Sequence, residues 1–219
     1  MIQILKDRKW LLASVLVALI LGFLLLSCLV VLNPPSAFDL KISTKVQARQ
    51  SELLDSSMKF VSWFGTMPKS LIMVLLTAVL FYVFKYKREA GFTLLTLLSG
   101  VVSSGLKLLL NRPRPTEDLV RIVEHANQQS FPSGHTLFYT IFFGFMIVVM
   151  SYVKTIPQAL RIVIVFVSAL LVFFIPMSRV YLGAHWFTDV LGGFILGILC
   201  LSLLGYLYLF PIKKGKNEG

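Results

Sequence analysis

The chain has 219 residues, of which 57% are hydrophobic and 14% charged, and its mean hydropathy of +0.82 excludes an ordinary water-soluble domain. A formal charge of +11 would suit a nucleic-acid ligand, but the basic residues gather at the ends of apolar blocks and no basic run carries interleaved stacking aromatics. What remains is one all-α domain covering 1–219, a bundle of six transmembrane helices with no nucleic-acid partner.

Several apolar blocks approach or exceed the ~20 residues a spanning helix needs. They predict spans at about 10–32, 68–84, 90–110, 135–153, 161–177 and 187–210. Lys6, Arg8 and Lys9 precede the first, and Trp10 is placed as an interfacial anchor. Its apolar core is too long for a signal peptide, and Leu25-Leu26-Ser27-Cys28 fits a lipoprotein cleavage site poorly, so it reads as a retained helix. Cys28 and Cys200 lie inside apolar runs and read as small hydrophobes.

Asn33-Pro34-Pro35 stops the first span. Within 36–67, Leu54, Met58 and Val61 recur at helical spacing, with Glu52, Asp55, Ser56 and Lys59 on other faces. That pattern suits a short helix in the outer headgroup region, where it could flank lipid access, or a plain loop with a helical turn. Lys85–Glu89 is a tight basic turn. Asn111-Arg112-Pro113-Arg114-Pro115 breaks the third span, because two prolines forbid helix continuation. Glu117, Asp118 and Glu124 then read as members of a mobile polar loop, and Pro132-Ser133-Gly134-His135 opens the fourth span.

An even number of spans puts both termini on one side. With the N-terminus inside, the inner segments hold 11 Lys/Arg against three acids, and the longer outer loops hold 10 against seven. The bias favours N-in and C-in within the cytoplasmic membrane. Lys107, Arg114, Ser133, His135, Arg179, His185 and Asp189 then all arrive at the outer face. Lys107 lies inside an apolar run, where burying its charge costs up to ~3 kcal/mol, so it should have a task.

His185 and Asp189 are four apart and would share a face if both were helical. Such an Asp can hold one imidazole nitrogen protonated and leave the other as a base or nucleophile. Alternatively, the stretch is an interfacial Arg beside a capping His–Asp pair. Asp189 is the only acid expected in a compact cluster, and no H-E-x-x-H, multi-Asp set or P-loop is present. The chemistry left is phosphate handling without a metal or other cofactor. Lys107, Arg114 and Arg179 would neutralise the equatorial oxygens. Backbone N–H groups at Ser133-Gly134 would point at the same anion, while one histidine attacks and the other protonates the leaving oxygen. His185 is the better nucleophile because Asp189 can fix its tautomer, which leaves His135 as the acid.

Lys107-x6-Arg114-Pro115, Pro132-Ser133-Gly134-His135 and Ser178-Arg179-x5-His185-x3-Asp189 together resemble the three-part signature of the type 2 phosphatidic acid phosphatase family, in particular its bacterial phosphatidylglycerophosphatase B and undecaprenyl-diphosphate phosphatase types. The resemblance implies a helical core shared with soluble acid phosphatases and vanadium haloperoxidases. It implies a phosphohistidine on His185, oriented by Asp189, with His135 as acid and then as activator of water. Lys107, Arg114, Ser133, Gly134 and Arg179 would hold the phosphoryl group, with Pro132 and Ser178 supporting them. Spacing from Lys107 selects Arg114 over Arg112, which is assigned to the loop or headgroups, and His125 reads as a loop residue.

A site at the interface meets lipid headgroups with the tail still in the bilayer. The expected substrate is a lipid phosphate, phosphatidylglycerophosphate first, with undecaprenyl diphosphate or phosphatidate as alternatives. A transporter or sensor of lipid phosphates would use the cations without needing both histidines. Nothing in the sequence sets an oligomeric state.

Overall fold

Nine helices and no strand make up the described residues of the computed structural model, which are 2–32 and 35–210. Asn33, Pro34 and the tail lysines Lys213, Lys214 and Lys216 lie outside them, as do the side chains of Lys6, Arg8 and Lys9. In chain order the helices are α1 (Ile2–Leu32), α2 (Ala37–Val46), α3 (Glu52–Trp63), α4 (Lys69–Val83), α5 (Lys87–Leu95), α6 (Leu98–Leu110), α7 (Gly134–Tyr152), α8 (Gln158–Tyr181) and α9 (Phe187–Leu209).

Among the described residues, five stretches are long and apolar enough to cross a bilayer: Trp10–Leu32, Lys87–Leu110, Gly134–Tyr152, Gln158–Tyr181 and Phe187–Leu209. The second expected span, 68–84, forms only the 15 residues of α4. At 1.5 Å per residue α4 rises about 22 Å, short of a ~30 Å hydrocarbon core. The expected span 90–110 is two helices. Thr96 and Leu97 bond back to Thr93 and Leu94, tightening one turn between α5 and α6 without any Pro or Gly. The fifth span, expected to stop at 177, continues through Pro176 and carries Ser178 and Arg179 in its last turns.

α7 is the central helix. Its apolar window is 72% buried, against 11% for α1 and α8, which therefore present Leu11, Leu12, Val163, Phe166 and Phe173 outward. An apolar shell of that extent on long helices marks an integral membrane protein. α7 packs between α8 and α9 through Leu137, Ile141, Phe145 and Val149. The start of α9 comes close to the start of α7: a Cβ on Gly193 would stand 2.6 Å from the Ser133 carbonyl oxygen. The Ser133 N–H donates to the Asp189 carbonyl at 2.9 Å across this contact.

The polar 36–67 segment forms two helices, α2 and α3, joined by a short turn. Leu54, Met58 and Val61 do share the half-buried face of α3, as their spacing predicts. Ser36 caps α2 and Ser51 caps α3, each accepting from the backbone N–H three residues on. Gln47, at the end of α2, donates to the carbonyls of Arg121 (2.7 Å) and Tyr181 (2.9 Å). Asp55 accepts from Arg121 and from the Tyr181 hydroxyl, and these bonds hold its carboxyl down to about 2. Both helices are thus pinned over the end of the bundle where α8 stops and α9 starts.

Candidate active site

That end of the bundle is built from four helix termini. α6 ends at Lys107–Leu110, and Asn111 closes it in the left-handed region (φ 42°), which Asn tolerates better than most residues. α7 begins at Gly134 with Ser133 as its cap, α8 ends beside Arg179, and α9 begins at Phe187. His185 is not on α9. The Asp189 carboxylate accepts the Trp186 N–H at 2.8 Å, which makes Trp186 the cap and leaves His185 in the turn before it. The expected helical register of His185 and Asp189 is replaced by this capping geometry.

His185 is nearly fully buried. Its Nε2 stands 3.3 Å from Arg114 Nη1. Arginine only donates, so Nε2 is the accepting nitrogen and Nδ1 carries the proton. Nδ1 lies 3.6 Å from Asp189 Oδ2 and 3.5 Å from the Ser130 hydroxyl, which itself donates to Asp189 Oδ2. Asp189 therefore reaches the imidazole both directly and through Ser130. Burial pushes His185 well below the usual histidine value, and the charges of Arg114, Arg179 and Lys107 push it the same way. The ring is neutral at pH 7.

The cations surround this imidazole. Lys107 Nζ donates to the Gln129 carbonyl at 2.7 Å. Arg114 donates to the carbonyls of Gln128, Gln129 and Ala184, and burial with Arg179 nearby lowers it to about 10, so it stays charged. Arg179 donates to Ser62 Oγ on α3 and to Glu124 Oε1, the latter at 2.8 Å. Buried Nε atoms of Arg179 and His135 have no protein partner. Gly134 opens α7, so its amide has no intrahelical acceptor and is the type of donor that meets an anion. A cavity of about 290 Å³ beside the cluster is lined by Arg114, Glu117, Glu124, His125, Asn127 and Ala184.

Three expectations are corrected. Arg112, assigned to the loop or headgroups, is buried and bridges Asp189 to Asp39 of α2, because its guanidinium is the cation within reach of both carboxylates. Asp189 is not the only acid of the cluster: Glu124 pairs with Arg179, and that pairing fixes it rather than leaving it in a mobile loop. The Ser133 N–H is committed to the Asp189 carbonyl and is not free for an anion. Ser178, expected in a supporting place, is buried in the last turns of α8 next to Arg179, its hydroxyl donating to the Ile175 carbonyl at 2.9 Å. His125 is exposed and stands only 3.9 Å from Glu117, as a loop residue would.

Sequence reasoning missed Asp39, Ser62, Gly65 and Ser130. Gly65 closes over His135: a Cβ there would lie 2.4 Å from His135 Cδ2 and 2.9 Å from Tyr139 Cε2. Ser130 is the one with a signal, a hydroxyl just ahead of the Pro132–His135 turn.

The PAP2 superfamily matches residues 88–212, more than half of the chain. Phosphatidylglycerophosphatase B of Bacillus subtilis is 29% identical over 209 residues, covering 92% of this chain and 94% of that one. An undecaprenyl-diphosphatase of Sulfolobus acidocaldarius is 28% identical over 187 residues, covering 82% of this chain and 84% of that one. The fold is similar to the crystal structure of a transmembrane PAP2-type phosphatidylglycerolphosphate phosphatase from Bacillus subtilis, with a TM-score of 0.77 at 22% identity over 91% of this chain and 98% of that one. With matching sequence over 88–212 and a matching fold over nearly its whole length, this chain belongs to the PAP2 superfamily.

Proposed function

We propose that the protein is a metal-independent lipid phosphate phosphatase acting through a phosphohistidine on His185, with phosphatidylglycerophosphate as its main substrate. The observation that carries this reading is the orientation of His185: Nδ1 toward Asp189, the unprotonated Nε2 toward Arg114 with Lys107 and Arg179 nearby. A phosphate entering there exchanges the carbonyls now held by Lys107 and Arg114 for its own oxygens, joined by Arg179 and the Gly134 amide. The Nε2 lone pair attacks phosphorus as the bond to the leaving oxygen breaks. His135, which takes up a proton when the negative phosphate enters beside it, supplies the proton that oxygen needs. In the second half His135 takes a proton from water, the water oxygen bonds to phosphorus, and the P–N pair returns to His185. Inorganic phosphate leaves.

The preference for phosphatidylglycerophosphate is supported by the name of the Bacillus subtilis relative, which matches over nearly the whole chain, and by the cavity beside Arg114. Its Glu117, Glu124 and Asn127 suit a glycerol with its one free hydroxyl next to the leaving oxygen better than a second phosphate bonded directly to that oxygen. The orientation we propose is N-in and C-in in the cytoplasmic membrane, with the short α4 crossing where the bilayer thins to meet it. That sixth pass returns the chain to its starting side, with the site facing outside and the whole chain acting as one domain. The test is phosphate release in EDTA from phosphatidylglycerophosphate and undecaprenyl diphosphate side by side. Preference for the first supports the reading; preference for the second would reassign the enzyme to prenyl diphosphates.

Two expectations follow from this geometry. A nucleophile must be unprotonated, and His185 in the free protein is depressed well below 6.5. Its neutral form therefore persists as pH falls, and the acid limb of kcat/KM, corrected for titration of the substrate phosphate, lies well below pH 6.5. A His185-dependent limb at or above the ordinary histidine value would contradict this. Second, Gly65→Ala must displace the His135 ring. A shift of that order costs about 100-fold in kcat, and less for lipid esters with activated leaving groups that need no acid. Unchanged kcat with a poor leaving group would show that His135 is not the acid.

A further inference from the structure

Asp39 lies on α2, outside the matched 88–212 stretch, yet it is completely buried. Its Oδ2 meets Arg112 Nη2 at 2.7 Å, and its Oδ1 accepts the Thr188 N–H at 3.0 Å and the Thr188 hydroxyl at 2.9 Å. Arg112 Nη1 meets Asp189 Oδ1 and donates to Thr188 Oγ1 at 2.7 Å. Burying two carboxylates around one guanidinium is expensive, and each needs further donors to replace lost hydration: Ser36 and Thr188 on Asp39, Ser130 and the Trp186 N–H on Asp189. If the purpose were only to hold Asp189, a bidentate Arg112–Asp189 pair would do it better. The guanidinium is instead turned so that each carboxylate receives one Nη, while its buried Nε has no partner.

The difference lies in charge. Arg112 with Asp189 alone is a neutral pair, and its field at His185 is weak. Adding Asp39 gives the buried trio a net charge of one minus. When Nε2 bonds to phosphorus and Nδ1 keeps its proton, the imidazole ring becomes cationic, and that net charge is what stabilises it. We propose that Asp39 is a positioning residue for phosphoryl transfer: by sharing Arg112 it leaves Asp189 with an uncancelled negative charge facing His185. This rests on the phosphohistidine reading. It also gives α2, a segment at the mouth of the site, a direct link to the nucleophile.

The other charged or titratable groups acting on His185 are Lys107 of α6, Arg114 of the following loop, His135 of α7, Arg179 of α8 and, through Arg179, Glu124. None is altered by substitutions at 39 or 112. The experiment uses the full-length protein in nanodiscs, with histidine imidazoles isotopically labelled and the His185 signal assigned from H185A. Titration midpoints and steady-state kinetics are read for wild type, D39N and the double variant D39N/R112Q. D39N takes the trio from one minus to neutral, so the His185 midpoint falls and kcat drops about tenfold with KM little changed. The double variant restores one minus, so the midpoint returns to that of wild type.

A mere anchor for α2 would lower the amount of folded protein and leave both midpoints where they are; that result overturns the proposal. So does a double variant whose midpoint lies further from wild type than that of D39N. Failure of D39N to fold would assign Asp39 to folding alone, with the same consequence. If wild type shows no His185-dependent phosphate release, the phosphatase reading fails, and the titration still decides the charge effect separately.

Discussion

His185→Ala is expected to lower phosphate release from phosphatidylglycerophosphate by about 10⁴-fold, because in the proposed mechanism it removes the atom that attacks phosphorus. The loss should fall on kcat, with KM nearly unchanged, since Lys107, Arg114 and Arg179 do not depend on the imidazole for their own positions. Lys107 and Arg114 are held by the carbonyls of Gln128, Gln129 and Ala184, and Arg179 by Ser62 and Glu124. Phosphate-mimic binding, read by competition with a fluorescent lipid phosphate, should therefore survive. Thermal stability should change little, because the ring makes no short bond that secures another element. A variant that kept a tenth of wild-type turnover would remove His185 from the reaction.

Arg112→Ala is expected to be the most destabilising single change at this end of the bundle. It strands Asp39 and Asp189, both fully buried, with no cation between them, and breaking such a bridge costs about 3–5 kcal/mol. The loss is not confined to one helix. Asp39 ties α2 to Thr188 at the start of α9, and Asp189 caps α9 through the Trp186 N–H. Thermal unfolding in mild detergent should show a large fall in midpoint, with lower yield in the membrane fraction. Arg112→Lys keeps a charge but offers no planar fork to reach both carboxylates, so it should fall between wild type and Ala. An Arg112→Ala protein as stable as wild type would mean that the two carboxylates are accommodated without the bridge.

These residues also show what a sequence can and cannot display. Lys107, Arg114, His135, Arg179, His185 and Asp189 stand out because each sits at the edge of an apolar block where a charge or imidazole has no bland use. α3 is legible from Leu54, Met58 and Val61, because amphipathic spacing is a local property. Arg112 and Asp39 are not legible. They are 73 residues apart, and in a polar linker each looks like any solvated charge. Gly65 and Ser62 act through the approach of α3 to α7 and α8, which no local pattern encodes. The break between α5 and α6 falls at Thr96–Leu97, two residues without breaker character, and the short α4 is masked by apolar neighbours on both sides. The turn placement of His185 depends on Asp189 capping Trp186, an unusual cap residue, so the i, i+4 spacing suggests a helix that begins two residues later.

In the proposed mechanism the phosphoryl group passes through His185 on its way to water. The most direct measurement is the stereochemical course at phosphorus, using a lipid phosphate monoester made chiral with oxygen isotopes and thiophosphate. Two successive in-line displacements, first by Nε2 and then by water, predict overall retention. Inversion would mean that water attacks the substrate directly, with His185 acting as a base or a charge rather than as the nucleophile.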